Sequence, residues 1–329
     1  MAAERAAAGS AVAGPVEAGP AVAGPVEARR GEAGRVAGER VAPGRWSTGL
    51  MEGGSAASFG AVAGLRTYAA LTMASLRANV RRPATLMVRA VGSALVALCE
   101  AVGMVLLIDR FGSIAGWSTP EIIVLAALVF TGQGLAMAAG NRLRPEDVSL
   151  LLRRGTFDQV LTRPVSPLGF VITGYVEIRL LGRFAAGLGL LAWAGHAAGI
   201  AWTPAHLAVA ALAILCCATV VFAVLVLGAA LTFYTLQGSE AVNVVLDGGT
   251  YLTAYPMELY GSALRLLFTW VFPFALAVYV PALTLLGRTG PSGLGTGLLW
   301  VAPVGSAWMA AVAWLAWRRA IRHYIGAGS

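Results

Sequence analysis

Side chains able to support acid–base, nucleophilic or metal chemistry are few and scattered in this chain. There are three histidines, His196, His206 and His323, and three cysteines, Cys99, Cys216 and Cys217. Gly290-Pro291-Ser292-Gly293 sets a serine among glycines, but a serine nucleophile needs a histidine brought within hydrogen-bond reach. His323 follows the last apolar run, and His196 and His206 hold loop-like or helix-start positions. The tetrapeptide therefore reads as a turn. No HExxH pattern, acid–base carboxylate pair or CxxC occurs. The adjacent Cys216 and Cys217 make a poor disulfide pair, so the cysteines are expected to act as small apolar residues. Every basic residue is arginine, and the phosphate-binding loop GxxxxGK[ST] needs its lysine. No catalytic, cofactor-binding or metal-ligating residue is expected in this chain. If ATP is used, another chain binds it.

The elements around these residues belong to a membrane. Of 329 residues, 58% are hydrophobic and only 12% charged, and several apolar runs reach the length of about 20 residues that crosses a bilayer core. The net charge of +8 and pI near 10 fit arginines gathered in cytoplasmic loops better than nucleic-acid binding. The chain is read as an all-α polytopic membrane protein. Six spans are expected, at about 85–108, 120–140, 180–203, 206–232, 261–286 and 296–318. Pro273 and Pro281 predict a kink in the fifth. Arg66, Arg77, Arg81, Arg82 and Arg89 precede or open the first span. Arg142, Arg144, Arg153, Arg154 and Arg163 follow the second, and Arg318, Arg319 and Arg322 follow the sixth. The positive-inside rule then puts both termini in the cytoplasm.

Residues 1–59 differ from the rest. AVAGPVEAGP at 11–20 is followed by AVAGPVEARR at 21–30, and Ala, Gly, Pro and Glu dominate, so this tail is expected to be disordered. From 60 to 82, apolar Leu65, Tyr68, Ala69, Met73, Leu76 and Val80 share one helical arc and Arg66, Arg77 and Arg81 the next. That is an amphipathic helix suited to the membrane surface.

The largest polar interruption is Asn141–Pro167, NRLRPEDVSLLLRRGTFDQVLTRPVSP. Pro145 suits a first helical position, with Glu146 and Asp147 at the positive helix start. Val148, Leu151 and Leu152 share one face. Arg153 and Arg154 fall in the last turn, and Gly155 makes the left-handed exit. Thr156 and Gln159 fit a capping box for a second helix, whose apolar face is Phe157, Val160 and Leu161. Two uses fit this chemistry equally: docking into a groove on a soluble partner, or lying on the inner leaflet with arginines on anionic lipid.

LLRRGTFDQVLTRPVSPLGFVI, together with YPMELYGSALRLLFTWVFPFALAVYVPALTLLGR at 255–288, resembles the six-span permeases of ATP-binding-cassette (ABC) exporters, in the type-2 permease superfamily. The resemblance covers about residues 60–325. It rests on Gly155–Phe157–Asp158, Leu161–Arg163–Pro164 and the later Tyr255-Pro256, Pro273, Tyr279 and Pro281 series. It implies an elbow helix at 60–82 and a coupling helix at 145–163, where Arg153, Arg154, Phe157, Asp158, Leu161 and Arg163 would meet an ATPase. It also implies a permease dimer, with a second copy or a paralogue, a separate ATPase dimer that binds ATP, surrounding membrane lipids, and a place in the bacterial cytoplasmic membrane. The tail is not part of the family pattern. An ion-gradient-driven secondary transporter and a non-transporting scaffold are the alternatives.

Single residues add less. Glu100 lies inside the first span, where a carboxylate is costly and points to a lined cavity, a functional site or a hydrogen-bonded helix contact. Glu177, Arg179 and Arg183 are expected to pair with one another or to reach the inner interface. Arg265, near the start of the fifth span, is a second candidate pathway or interface residue. Segment 239–259 is less apolar, and Gly248-Gly249 should break any helix there.

Overall fold

A computed structural model describes residues 68–70, 72–77, 83–162, 166–173, 177, 180–235, 239–290 and 295–324. The expected tail at 1–59 and most of the expected elbow helix lie outside the described residues, as do Arg163, Arg179 and Ser292. Residues 68–70 and 72–77 are helical. Among the described residues every regular element is a helix.

Helix α1 (Pro83–Phe111) starts at a proline, which costs nothing in a first turn that has no acceptor for its N–H. Helix α2 (Thr119–Gly140) starts at Ser118, whose N–H donates to Glu121 Oε2 at 2.7 Å in a capping box. A 3₁₀ turn, Asn141–Leu143, leads to the short helices α3 (Pro145–Arg153), α4 (Thr156–Leu161) and α5 (Pro167–Thr173). Helix α6 (Leu181–Ala197) and helix α7 (Pro204–Leu231) follow, the latter capped by the Thr203 hydroxyl, which accepts from the His206 N–H. Next come α8 (Ser239–Thr253), α9 (Ser262–Leu266), α10 (Val280–Leu286) and α11 (Val301–His323).

The core is built around α2. Residues 122–134 are buried without a break, as expected for a helix apolar on every side. It packs against α1, α6 and α7, and α7 packs in turn along α11. Small residues set these distances. A Cβ on Gly134 would sit 2.6 Å from the Phe184 nitrogen of α6, and one on Gly182 would collide with the Ala90 carbonyl oxygen of α1. Close backbone approach of this kind is how apolar helices gain packing energy where lipid is as apolar as a side chain.

Four helical stretches are long and apolar enough to cross a membrane: Pro83–Arg110, Thr119–Arg153, Pro204–Leu231 and Gly297–His323. They match the first, second, fourth and sixth expected spans. The expected third span is the 17-residue α6, which is short for a crossing. The expected fifth is not a kinked rod. It is two pieces, Ser262–Val271 and Ala275–Leu286, bent by 82°, and it makes a fifth crossing only if both pieces belong to one span. Both pieces carry π-helical turns, at Leu267–Val271 and Ala275–Tyr279. Pro273 lies at the break, where its missing N–H and its ring stop the hydrogen-bond ladder. Pro281 is accommodated at the start of α10.

The Gly248-Gly249 pair does not break a helix, contrary to the sequence expectation, because α8 runs through it. Packing outweighs propensity here: a Cβ on Gly249 would lie 2.5 Å from the Phe274 ring. The Thr250 and Thr253 hydroxyls donate back to the Leu246 and Gly249 carbonyls at 2.9 and 2.8 Å.

Gly182→Val should force α1 and α6 apart and cost about 1–3 kcal/mol. Gly92→Ala, on a part of α1 where a Cβ meets nothing within 4 Å, should be neutral. Thermal unfolding of the detergent-purified protein checks both, with a lowered midpoint for Gly182→Val alone.

Candidate functional site

The loop between α2 and α6 carries most of the sequence-derived site residues. Helix α3 has Pro145 in its first turn, Glu146 and Asp147 beside it, and Arg153 in its last turn. Gly155 has φ of 64°, the left-handed exit that glycine adopts without strain. The expected capping box does not form. Gly155 itself precedes α4, and the Thr156 hydroxyl donates to the Leu151 carbonyl at 3.2 Å, closing the end of α3 instead.

One face of this loop is fixed to the helical body. Phe157 is buried, with its ring edge-on to Phe233 at 5.1 Å and to Tyr324 at 5.2 Å. Phe233 meets Trp317 at 5.5 Å. Phe233 follows the end of α7, while Trp317 and Tyr324 lie at the end of α11, so one side chain from α4 joins three elements. Edge-to-face pairs of this kind contribute about 0.5–1.5 kcal/mol each beyond burial. Val148, Leu152 and Val160 are buried as well. The Asn243 amide of α8 donates to Glu146 Oε1 at 2.7 Å. Gly228 of α7 leaves room for Val242 and Pro145, so α3, α7 and α8 meet there.

The opposite face is open. Arg153, Arg154, Gln159 and Leu161 are exposed, and Asp158 is half-buried. Leu161 was expected on the apolar face with Phe157 and Val160 but is 41% exposed. The short α4 turns Phe157 and Val160 inward, one helical step apart, and leaves Leu161 beside them at the rim.

The polar residues in the apolar body also find partners. Arg183 of α6 binds Glu100 of α1 through two hydrogen bonds, Nη1 to Oε1 at 3.1 Å and Nη2 to Oε2 at 2.6 Å. Its guanidinium lies over the Phe130 ring of α2 at 4.7 Å. Glu177, Arg179 and Arg183 were expected to pair with one another or to reach the inner interface, and Arg179 lies outside the described residues. Glu177 instead accepts from the Asn141 amide at 2.8 Å, and its N–H donates to the Ala138 carbonyl. Arg265 donates to the Met257 and Tyr260 carbonyls at 3.3 and 3.0 Å, tying down the turn between α8 and α9.

Two pairings were not legible in the sequence. Tyr279 donates to Glu258, 2.7 Å from each carboxylate oxygen, tying the second half of the bent segment to the turn that precedes its first half. Arg288 binds Glu121 at 2.7 Å, donates to the Gly116 carbonyl and stacks over Trp117 at 4.6 Å. Glu121 and Arg288 are 167 residues apart. Neither lies in a pattern that spacing alone detects, although Glu121 sits three residues after Ser118 in the capping box.

Either Glu100→Gln or Arg183→Met should destabilise by about 3 kcal/mol, because each leaves the other group without its partner. The double replacement Glu100→Gln with Arg183→Met should recover much of that loss. A double-mutant cycle on thermal midpoints tests this, and additive single effects would contradict it.

No curated protein and no solved structure matches the chain significantly. A family model described as ABC-2 family transporter protein matches residues 94–328, more than two thirds of the sequence. The match takes in most of α1 and all of α2 to α11, including the buried loop face, the Glu100–Arg183 pair and the bent segment. The chain is a multi-pass membrane protein that belongs to the ABC-2 transporter family.

Proposed function

We propose that the chain is the membrane subunit of an exporter driven by a separate ATPase dimer, which binds the ATP. In this reading it forms the pathway with a second copy or a paralogous permease in a bacterial cytoplasmic membrane. It has six spans and both termini in the cytoplasm, and residues 60–82 form an elbow helix. The α3–α4 loop is the coupling element. Arg153, Arg154, Asp158, Leu161 and Arg163 meet the ATPase, and Phe157 acts from behind them by transmitting the push.

The single observation that carries this reading is the two-sided character of the loop. Its inner face is fastened to α7, α8 and α11 through Phe157, Pro145 and Glu146. Its outer face presents Arg153, Arg154 and Leu161. Movement of a partner against the outer face is then delivered to the ends of three helices. A loop resting on lipid needs no such rigid mounting. Glu100 and Arg265 are assigned supporting roles, each holding neighbouring elements in place beside the pathway.

The test is co-expression with an ATPase subunit encoded beside this chain. Co-purification and a permease-dependent change in ATP hydrolysis are expected. Asp158→Arg should abolish that change while leaving the purified permease monodisperse and its thermal midpoint unaltered. Phe157→Ala should also uncouple, with a stability loss of about 3–5 kcal/mol from the emptied aromatic site. Transport that persists without ATP hydrolysis and collapses with the proton gradient would replace this reading with a gradient-driven one.

A further inference from the structure

Helix α8 runs from the α3–α4 loop to the polar pair in the body of the bundle. Asn243, Asp247 and Tyr251 recur every four residues along one side of it. The Asn243 amide is bound to Glu146 of α3. Two turns further on, about 12 Å along the axis, Tyr251 lies within electrostatic range of Glu100, of Arg183 and of Asp247 on its own helix. Arg183 stacks over Phe130, near the middle of the 22-residue α2. Tyr251 therefore stands about halfway along α2, and Asp247 one turn nearer the loop.

This side of α8 is open at a depth where α2 is closed. Tyr251 is 49% exposed and Val244 69% exposed, and a Cβ on Gly248 would meet nothing within 4 Å. On α1, Cys99 and Val102 flank Glu100 and are exposed, and Gly103 likewise leaves open space. The Asp247 carboxylate is half-buried and makes no hydrogen bond or ion pair with another described residue. Arg183 is committed to both oxygens of Glu100, so that pair is neutral as a whole. Asp247 then leaves the opening with one negative charge in excess. Arg89 lies eleven residues before Glu100, about 16 Å along α1.

A carboxylate at membrane depth is costly and faces a lined cavity or a partner. The surroundings of Asp247 select that partner. Its charge attracts cations, the exposed Tyr251 ring presents the electron-rich face that does the same, and Val244 and Val102 offer apolar contact. An anion would meet Asp247 with no free guanidinium beside it. We propose that the opening between α1 and α8 binds a hydrophobic organic cation, with Asp247 as its charge partner and Tyr251 as its aromatic wall. In the exporter reading, on which this assignment of cargo rests, the bound cation is the transported substrate, held one turn beyond the contact of α8 with the α3–α4 loop.

Equilibrium dialysis of the detergent-purified full chain against tetraphenylphosphonium and tetraphenylborate tests this without an ATPase. The two ions are near-identical in shape and opposite in charge, and protein-free detergent supplies the blank. The cation should bind at least about tenfold more tightly than the anion, since like charges brought together are strongly disfavoured. Asp247→Asn should remove the preference and leave the thermal midpoint unchanged, because the carboxylate holds no other described group. Asp247→Glu should keep most of the preference. Gly248→Leu fills the opening without removing a charge and should abolish cation binding; if that variant does not fold, Asp247→Asn decides alone. Equal binding of the two ions, tighter binding of the anion, an unchanged preference in Asp247→Asn or an unchanged cation affinity in folded Gly248→Leu would overturn the proposal. Permease-dependent ATP hydrolysis without cation binding would reject this site alone. Cation binding without any ATPase association would keep the site and reject the exporter reading.

Discussion

The close backbone contact of α2 with its neighbours is the constraint on which the rest of the molecule depends. Every side of α2 is covered from Ile122 to Gly134, and Gly134 and Gly182 allow α2–α6 and α1–α6 distances that a single methyl group would prevent. In lipid the exclusion of water does not drive helices together, so contact quality must do so. Once α1, α2 and α6 are held at that distance, Glu100 and Arg183 face each other and the Phe130 ring is within reach of the guanidinium. The polar pair follows from the apolar packing.

Charged groups elsewhere obey the same logic. Isolated charges in an apolar medium are expensive, and pairing with good geometry makes them tolerable. Glu100 with Arg183, Glu121 with Arg288 and Glu258 with Tyr279 each join elements far apart in sequence. Two of them bear on the bent segment between Ser262 and Leu286. Glu258 holds the π-helical turn at Tyr279, and Arg288 anchors the far end to α2 beside Trp117. A segment bent by 82° loses backbone hydrogen bonds at its break, and these side-chain ties restrict where its halves can go. Irregular backbone at membrane depth is tolerated where protein surrounds it, and Ala275–Val280 are buried.

The α3–α4 loop joins this apolar body to an open polar face. Its inner surface is part of the core, through Val148, Leu152, Phe157 and Val160. Phe157 bridges the ends of α7 and α11, which pack along each other. The loop is thereby an extension of the bundle, fixed to the ends of both helices by aromatic contacts.

The sequence by itself determined the class of the molecule and the placement of most of its helices. Apolar runs of bilayer length dictate helices because a backbone in lipid must bond to itself. The start of α3 at Pro145 and the left-handed exit at Gly155 follow from residues within a few positions of each boundary. Tertiary structure decided the rest, because the deciding partners are remote. Gly248-Gly249 stays helical because Phe274 packs there. The fifth apolar run bends at Pro273, where α8 and α11 pack against it. Leu161 turns outward while Phe157 finds Phe233 and Tyr324. Arg183 pairs with Glu100, 83 residues away, and not with its neighbour in sequence. Local patterning reports which residues share a helix face, but only the packed bundle decides what that face meets.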